Sequence, residues 1–253
     1  MCGRYASIST ATELAAVFGI DEIRGEQLPI RYNVAPTQPV YAVADGRPGG
    51  PDQEAPRQLG SFRWGLVPSW AKDLAVGAGM INARSEGIAT KPAFRDALVR
   101  RRCLIPADAF YEWQAQPSPQ PALAGFPERD RPSVAAGKRP YAIKPRTGRP
   151  MAFAGLWEVW RPPTGPDPAP VRTCTIITTA ANSLLAPIHH RMPVVLDPAS
   201  WDFWLDRSNH DIDGVVELLV PAPPGDFVVH PVSSRVNRAD NDDSELLDPV
   251  DVA

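Results

Sequence analysis

Thr173-Cys174-Thr175-Ile176-Ile177-Thr178-Thr179 is a run in which every residue except the cysteine is β-branched. Such side chains lose rotamer freedom in a helix and pack well on a pleated surface, so the run predicts a strand. Short apolar segments of the same kind lie on either side of it, at Val40–Ala44, Leu104–Ile105, Tyr141–Ile143, Ala152–Leu156, Val194–Leu196 and Phe227–His230. Helical patterns are fewer. Thr10–Phe18 has an N-cap at Ser9 or Thr10 and carries Leu14, Val17 and Phe18 on one face. Lys91–Arg101 groups Phe94, Ala97 and Leu98; Pro198–Leu205 opens on a first-turn proline; Ile212–Leu219 is a fourth. Strands and helices do not alternate, and no repeat period appears. The pattern predicts one α+β domain, a curved or barrel-like, mainly antiparallel sheet flanked by helices.

The chain has 253 residues, enough for a sizeable core in one large domain. Its 30 prolines are about twice the usual share of roughly 5% and belong in loops and edges. Residues 45–58, 114–139 and 161–170 concentrate Pro, Gly and charge and read as flexible insertions. The net charge is −3, but residues 239–253 carry six acids and no base, and the rest of the chain is +3. The expected organisation is therefore a domain over 1–238 and an acidic tail over 239–253. The remainder is mild in charge and compatible with a nucleic-acid partner. No run of 18 apolar residues and no secretory signal is present, so the expected setting is the cytoplasm and no membrane. Cys2, Cys103 and Cys174 are far apart and odd in number, which argues against a disulfide framework and a cysteine-based metal site. Phosphate-cradling and dinucleotide fingerprints are missing, so no cofactor and no metal are expected. Nothing requires an obligate protein partner or more than a monomer.

Cys2 is the most informative residue. Removal of Met1 tolerates a small second residue, and the chain then begins Cys-Gly-Arg-Tyr. Its α-amine, with a pKa of about 7.7–8.0, is appreciably neutral at pH 7, whereas a lysine at about 10.4 is not. Amine and thiol together add to one aldehyde carbon, the amine as an imine and the sulfur closing a thiazolidine. Holding both in place is worth ~7 kcal/mol or more. An N-terminal cysteine also serves N-terminal-nucleophile amidotransferases, which attack the side-chain amide of glutamine. A third reading is a non-catalytic single-stranded-DNA-binding module in which Cys2 is incidental.

Further blocks follow in order: Arg31-Tyr32-Asn33-Val34-Ala35-Pro36-Thr37-Gln38, Trp64-Gly65-Leu66-Val67-Pro68-Ser69-Trp70, Ile81-Asn82-Ala83-Arg84-Ser85-Glu86, Phe110-Tyr111-Glu112-Trp113, Phe153-Ala154-Gly155-Leu156-Trp157-Glu158 and His189-His190-Arg191-Met192-Pro193. With the opening Met-Cys-Gly-Arg-Tyr, these blocks resemble the SOS-response-associated peptidase family, the abasic-site-processing proteins. The resemblance runs from Cys2 to about Leu205. It departs from the family pattern at His190, which stands between the histidine and arginine of the last block, and in the long segment 114–136.

The resemblance implies that Cys2 forms a thiazolidine with the ring-opened aldehyde of an abasic site in single-stranded DNA, and that Met1 is removed autoproteolytically. It makes Asn82, Glu112 and His189 the partners of Cys2. Glu112, flanked by aromatics, suits a proton shuttle with a raised pKa. His189 suits protonation of the departing sugar oxygen, and Asn82 orientation of the amine or sugar. Arg4, Arg84 and Arg191 are fork donors for phosphates beside the lesion. Trp70 is a candidate base-stacking platform, Trp64 a core residue. Asn33, Pro36 and Thr37 are expected to line the groove.

Overall fold

The computed structural model describes residues 2–46, 56–116, 137–163 and 169–251. The β-branched run lies in β11 (Val171–Ala180), the strand on which the architecture turns. β11 pairs antiparallel with β10 (Met151–Trp160), Trp157 opposite Cys174, and β10 pairs with β7 (Arg102–Ala107), Gly155 opposite Cys103. β7 meets β4 (Pro39–Asp45) at Val43 and Leu104, and β4 pairs with β5 (Arg57–Trp64). β5 then returns to β11 in parallel, Cys174 opposite Trp64. That pairing closes five strands into a barrel, which removes the exposed edges that an open sheet would present. β2 (Glu22–Arg24) extends the sheet beside β5, and β6 (Asn82–Arg84) and β12 (Arg191–Pro193) pair with β11 near its C-terminal end. A second, wholly antiparallel sheet runs β13 (Phe227–Pro231), β9 (Lys138–Pro145), β8 (Ala109–Ala115), β1 (Tyr5–Ser7), β3 (Arg31–Val34). The architecture is α+β and mainly sheet, in one domain, as the sequence predicts.

Both faces of β4, β7 and β10 are largely covered, which is why they read as apolar runs. Val40, Ala42, Phe62, Trp64, Cys103, Phe153, Cys174 and Ile176 fill one core, while Tyr41, Val43, Leu59, Leu104 and Ile177 pack in another with the helices. Gly155 has no room for a side chain: a Cβ there would sit 2.9 Å from Ile105 Cδ1 and 3.0 Å from Cys103 Sγ. α1 (Ala11–Phe18) starts with a reciprocal capping box between Thr10 and Glu13 and ends at Gly19 in the left-handed region, φ 62°. Its Phe18 stacks on Trp201 of α3 (Trp201–Leu205), ring centroids 4.6 Å apart.

Several sequence expectations need correction in detail. The helix over 91–101 is only α2 (Arg95–Arg100); a turn containing Pro92 precedes it. Pro198 heads a short 3-10 turn before α3, and the fourth helix, α4 (Ile212–Glu217), is shorter than expected. Val194–Leu196 is no ladder strand but an extended crossing, Val194 N–H bonding to Ile177 and Leu196 N–H to Ala152. The strands β1, β2, β3, β5, β6, β8 and β12 were not foreseen as strands. Arg57 and Gln58, Gln114 and Ala115, and Lys138 and Arg139, assigned to insertions, are strand residues; 47–55, 117–136 and 164–168 lie outside the described residues.

The acidic segment from 239 is built into the domain. Asp242 accepts the backbone N–H groups of Tyr32 (2.6 Å) and Asn33 (3.0 Å) and pairs with Arg31. Leu246 and Leu247 are buried against Ala109, Tyr111 and Val236. Arg102 is buried; its guanidinium donates to the carbonyls of Leu98, Val99, Trp204, Asp206 and Asn209, tying α2 to α3.

Candidate active site

β8 decides where Glu112 points. Side chains alternate along a strand, so Glu112 shares the face of Phe110, which packs in the core that holds Cys2 and Trp64. β1 pairs with β8 at Tyr5 and Phe110, and the Tyr111 N–H bonds to the Arg4 carbonyl at 3.0 Å. Continuing that register places Gly3 opposite Glu112, which brings the segment of Cys2 alongside the carboxyl. Cys2 is fully buried and Glu112 only 4% exposed. Burial pushes the Glu112 carboxyl up to about 7, and burial together with that carboxyl pushes the Cys2 thiol up. The Arg4 backbone N–H acts the other way, favouring the thiolate.

Asn82 enters on β6, whose parallel pairing sets it opposite Ile176. Its Nδ2 donates to the Cys2 carbonyl at 2.8 Å. His189 sits on the turn after β11, with Nδ1 4.0 Å from Glu112 Oε1. Nδ1 lies 3.0 Å from the Arg191 backbone nitrogen and 3.1 Å from the Arg191 carbonyl oxygen, so either tautomer of the neutral imidazole has a partner there. Burial lowers the His189 pKa, which favours that neutral form. His190 is exposed and stacks on His189 with centroids 4.4 Å apart. Of the two histidines, His189 is the one against the carboxyl.

The arginines and groove residues divide. Arg84 is exposed on β6, Trp70 is 66% exposed, and Pro36 and Thr37 are half-buried. Thr37 holds a left-handed φ of 70°, fixed by its N–H to the Trp64 carbonyl (2.8 Å) and by Arg63 Nη1 to its own carbonyl (2.7 Å). Arg191, Asn33 and Arg4 are engaged inside the fold instead. Arg191 is 8% exposed, forks onto the Glu86 carboxylate and reaches the Thr178 carbonyl at 2.5 Å. Asn33 is fully buried, its Nδ2 on the Val236, Arg238 and Asn241 carbonyls and its Oδ1 on Arg4 Nη1. Arg4 completes the link through the Val236 carbonyl at 2.9 Å. These groups hold the frame of the site; Trp64 is core, its Nε1 on the Ile81 carbonyl.

Gln114 was missed. Two residues beyond Glu112 on the same strand face, it donates to the Pro187 carbonyl at 3.0 Å and accepts from the Tyr141 hydroxyl, tying β8 to the turn that carries His189. Its period-two spacing from Glu112 was the available signal. Among the described residues, no three His, Cys, Asp or Glu side chains group to hold a metal ion, and no helix is long and apolar enough to cross a membrane.

A family model described as SOS response associated peptidase (SRAP) matches residues 1–239. The chain is similar to the abasic site processing protein YoqW of Bacillus subtilis, 41% identical over 251 residues, 98% of this chain and 99% of that protein. It is 35% identical over 202 residues to the abasic site processing protein HMCES of Gallus gallus, 78% of this chain and 59% of that one. A solved structure of a Bacteroides thetaiotaomicron protein shares the fold with a TM-score of 0.78 at 22% identity, covering 98% of this chain and 100% of that chain.

Proposed function

The chain belongs to the SOS response associated peptidase family, and from that membership and the geometry around Cys2 we propose that it captures abasic sites in single-stranded DNA covalently. Hydrolysis of the Met1–Cys2 peptide consumes one water and frees the Cys2 α-amine. The amine adds to the aldehyde carbon of the ring-opened sugar. Protonated Glu112 gives its proton to the resulting hydroxyl, which leaves as water, and an iminium remains. The Cys2 thiol then passes its proton to the Glu112 carboxylate while sulfur bonds to the iminium carbon. The products are a thiazolidine, one water and Glu112 protonated as at the start. A buried, protonated thiol suits this order, because the adjacent iminium charge favours thiolate only once the amine has reacted.

The observation that carries the reading is the Glu112 carboxyl, buried beside Cys2 and raised to about 7, where it both gives and takes a proton near neutrality. The His189 imidazole donates to the sugar ring oxygen during opening, and Asn82 holds the Cys2 carbonyl. Trp70 and Arg84 meet a base and a phosphate of the flanking strand, beside Pro36 and Thr37. Single-stranded DNA fits because an aldehyde inside a stacked duplex is sheltered.

Incubation of the protein with a single-stranded oligonucleotide bearing one abasic site, followed by a denaturing gel, tests this. A stable shifted band, lost with Cys2→Ser and absent for undamaged DNA, is expected. No band under any condition overturns the reading, and ammonia released from glutamine by way of Cys2 would replace it with the amidotransferase one.

A further inference from the structure

The barrel has a second opening at the other end of β11. On that strand Arg172 shares a face with Cys174 and Ile176, and Ile176, the register partner of Asn82, lies four residues or ~13 Å further along. Between them Cys174, Trp64 and Phe153 fill the interior, so the two ends are separate sites.

The opening is a pocket of about 300 Å³. Three guanidinium groups line it, from Arg24 on β2, Arg172 on β11 and Arg207 after α3. Arg207 Nη1 is fixed on the Gly46 carbonyl at 3.2 Å, and Arg24 pairs with Glu22 at 2.9 Å. Arg172 lies over the Phe62 ring, 5.7 Å from its centroid, and Trp157 meets the same ring edge-on at 5.8 Å. Gly60 keeps the space open: a Cβ there would lie 3.5 Å from Arg172 Nη1 and 3.4 Å from the Phe62 ring. Asp45 is the one acid in the lining, with Arg57 Nε 3.7 Å away.

The geometry points to a binding site for a nucleotide carrying a 5′-phosphate, separate from the Cys2 site. Guanidinium forks match phosphate oxygens, and three of them meet at this cavity, with Glu22 beside Arg24 and Arg57 beside Asp45. Half-buried Trp157 offers a flat apolar surface for the base, and Asp45 accepts from a sugar hydroxyl. The volume is at the lower end for small-molecule pockets, which suits one nucleotide unit and excludes a duplex. The unit comes from a free mononucleotide or from the 5′-phosphorylated end of a strand.

Calorimetric titration of the full chain with dAMP, with inorganic phosphate as the control, tests the proposal. Binding at a roughly millimolar dissociation constant or tighter is expected for dAMP, and at least tenfold weaker binding for phosphate. Arg172→Glu removes the charge and Gly60→Val fills the space; each should weaken dAMP at least tenfold. Covalent capture of an abasic oligonucleotide should be unchanged in both, which shows that the fold persists; if Gly60→Val does not fold, Arg172→Glu decides. No dAMP binding, binding unaltered in Arg172→Glu, or phosphate binding as tightly as dAMP overturns the proposal. An undamaged trinucleotide that competes with dAMP only when 5′-phosphorylated identifies a strand end as the source; no competition identifies the free nucleotide. Failure here leaves the abasic capture band untouched, and loss of that band leaves this titration untouched.

Discussion

Asn82 holds Cys2 by its backbone: Asn82 Nδ2 donates to the Cys2 carbonyl oxygen at 2.8 Å, across 80 positions of sequence. The bond leaves the sulfur and the residue's nitrogen unblocked while fixing the peptide that carries them. β6 is only three residues long and is placed by its parallel pairing with β11, so the aim of Cys2 depends on the barrel itself.

Asn82→Ala should therefore slow crosslinking without weakening strand binding. A displacement of about 1 Å in a reacting group costs up to 10²-fold in rate, and a loss of that order is expected. Asn82→Asp should be at least as slow, since a carboxylate repels the carbonyl. Single-turnover gel assays beside a fluorescence binding titration separate rate from affinity; equal loss of both would make Asn82 structural.

Strand binding should respond to surface residues in two different ways. Arg84→Ala should weaken binding evenly across sequences and shallow its salt dependence by about one counterion. Trp70→Ala should cost about 1–3 kcal/mol with the salt slope unchanged, as expected for a lost stacking surface. Titrations at several salt concentrations with undamaged single strands check both. Identical salt slopes for Arg84→Ala and the unmodified protein would remove Arg84 from the phosphate contacts.

The C-terminal segment should matter for stability and for the site together. Asp242 takes two backbone N–H groups of β3 and pairs with Arg31, while Asn33 and Arg4 are bonded to carbonyls of 236–241. Hydrogen bonds to a charged group contribute about 1.5–3 kcal/mol, so Asp242→Ala should lower stability by that order in urea denaturation. Because Arg4 lies between Cys2 and β1, crosslinking should also slow. A stability unchanged by Asp242→Ala would mean that the segment merely rests on β3.

Much of this site was legible before the fold was known, but unevenly. Cys2 stood out by local chemistry, an amine beside a thiol, whereas Glu112 was singled out by the family resemblance, since a lone glutamate between aromatic residues reads as readily as a surface residue. Four of the five barrel strands were visible in apolar runs such as 173–179; β5 was not, because Arg57, Gln58, Ser61 and Arg63 interrupt it, nor were β1, β3 and β6, since three or four residues carry too little periodicity to stand out. Asn33 was expected to line the groove as a loop residue, and Arg191 to meet a phosphate as a fork donor. Their partners lie far away in sequence, at 236–241 for Asn33 and at Glu86 for Arg191, and no local pattern announces them. The acidic stretch was set apart as a tail for the same reason, since six like charges mark it off from the domain while Asp242 is anchored on β3 by two N–H groups.

Glu112 makes the sharpest prediction, because one carboxyl is expected to trade stability for reactivity. Its pKa stands near 7 in the folded chain, against an ordinary 4.5. The folded state therefore holds its proton more tightly than the unfolded state does. Stability from this group is complete below pH 4.5 and is lost as pH rises through 7, since the buried carboxylate must then be accommodated. Glu112→Gln carries no such cost. The variant should match the unmodified protein near pH 4 and exceed it above pH 8 by up to about 3 kcal/mol, from 1.36 kcal/mol per pKa unit. Crosslinking should move the opposite way, falling about 10²–10⁴-fold at pH 7 with strand binding little altered. Thermal melts at pH 4 to 9 beside single-turnover rates check the pair. A variant less stable than its parent at pH 8, or one that crosslinks at the full rate, would remove Glu112 as the proton carrier.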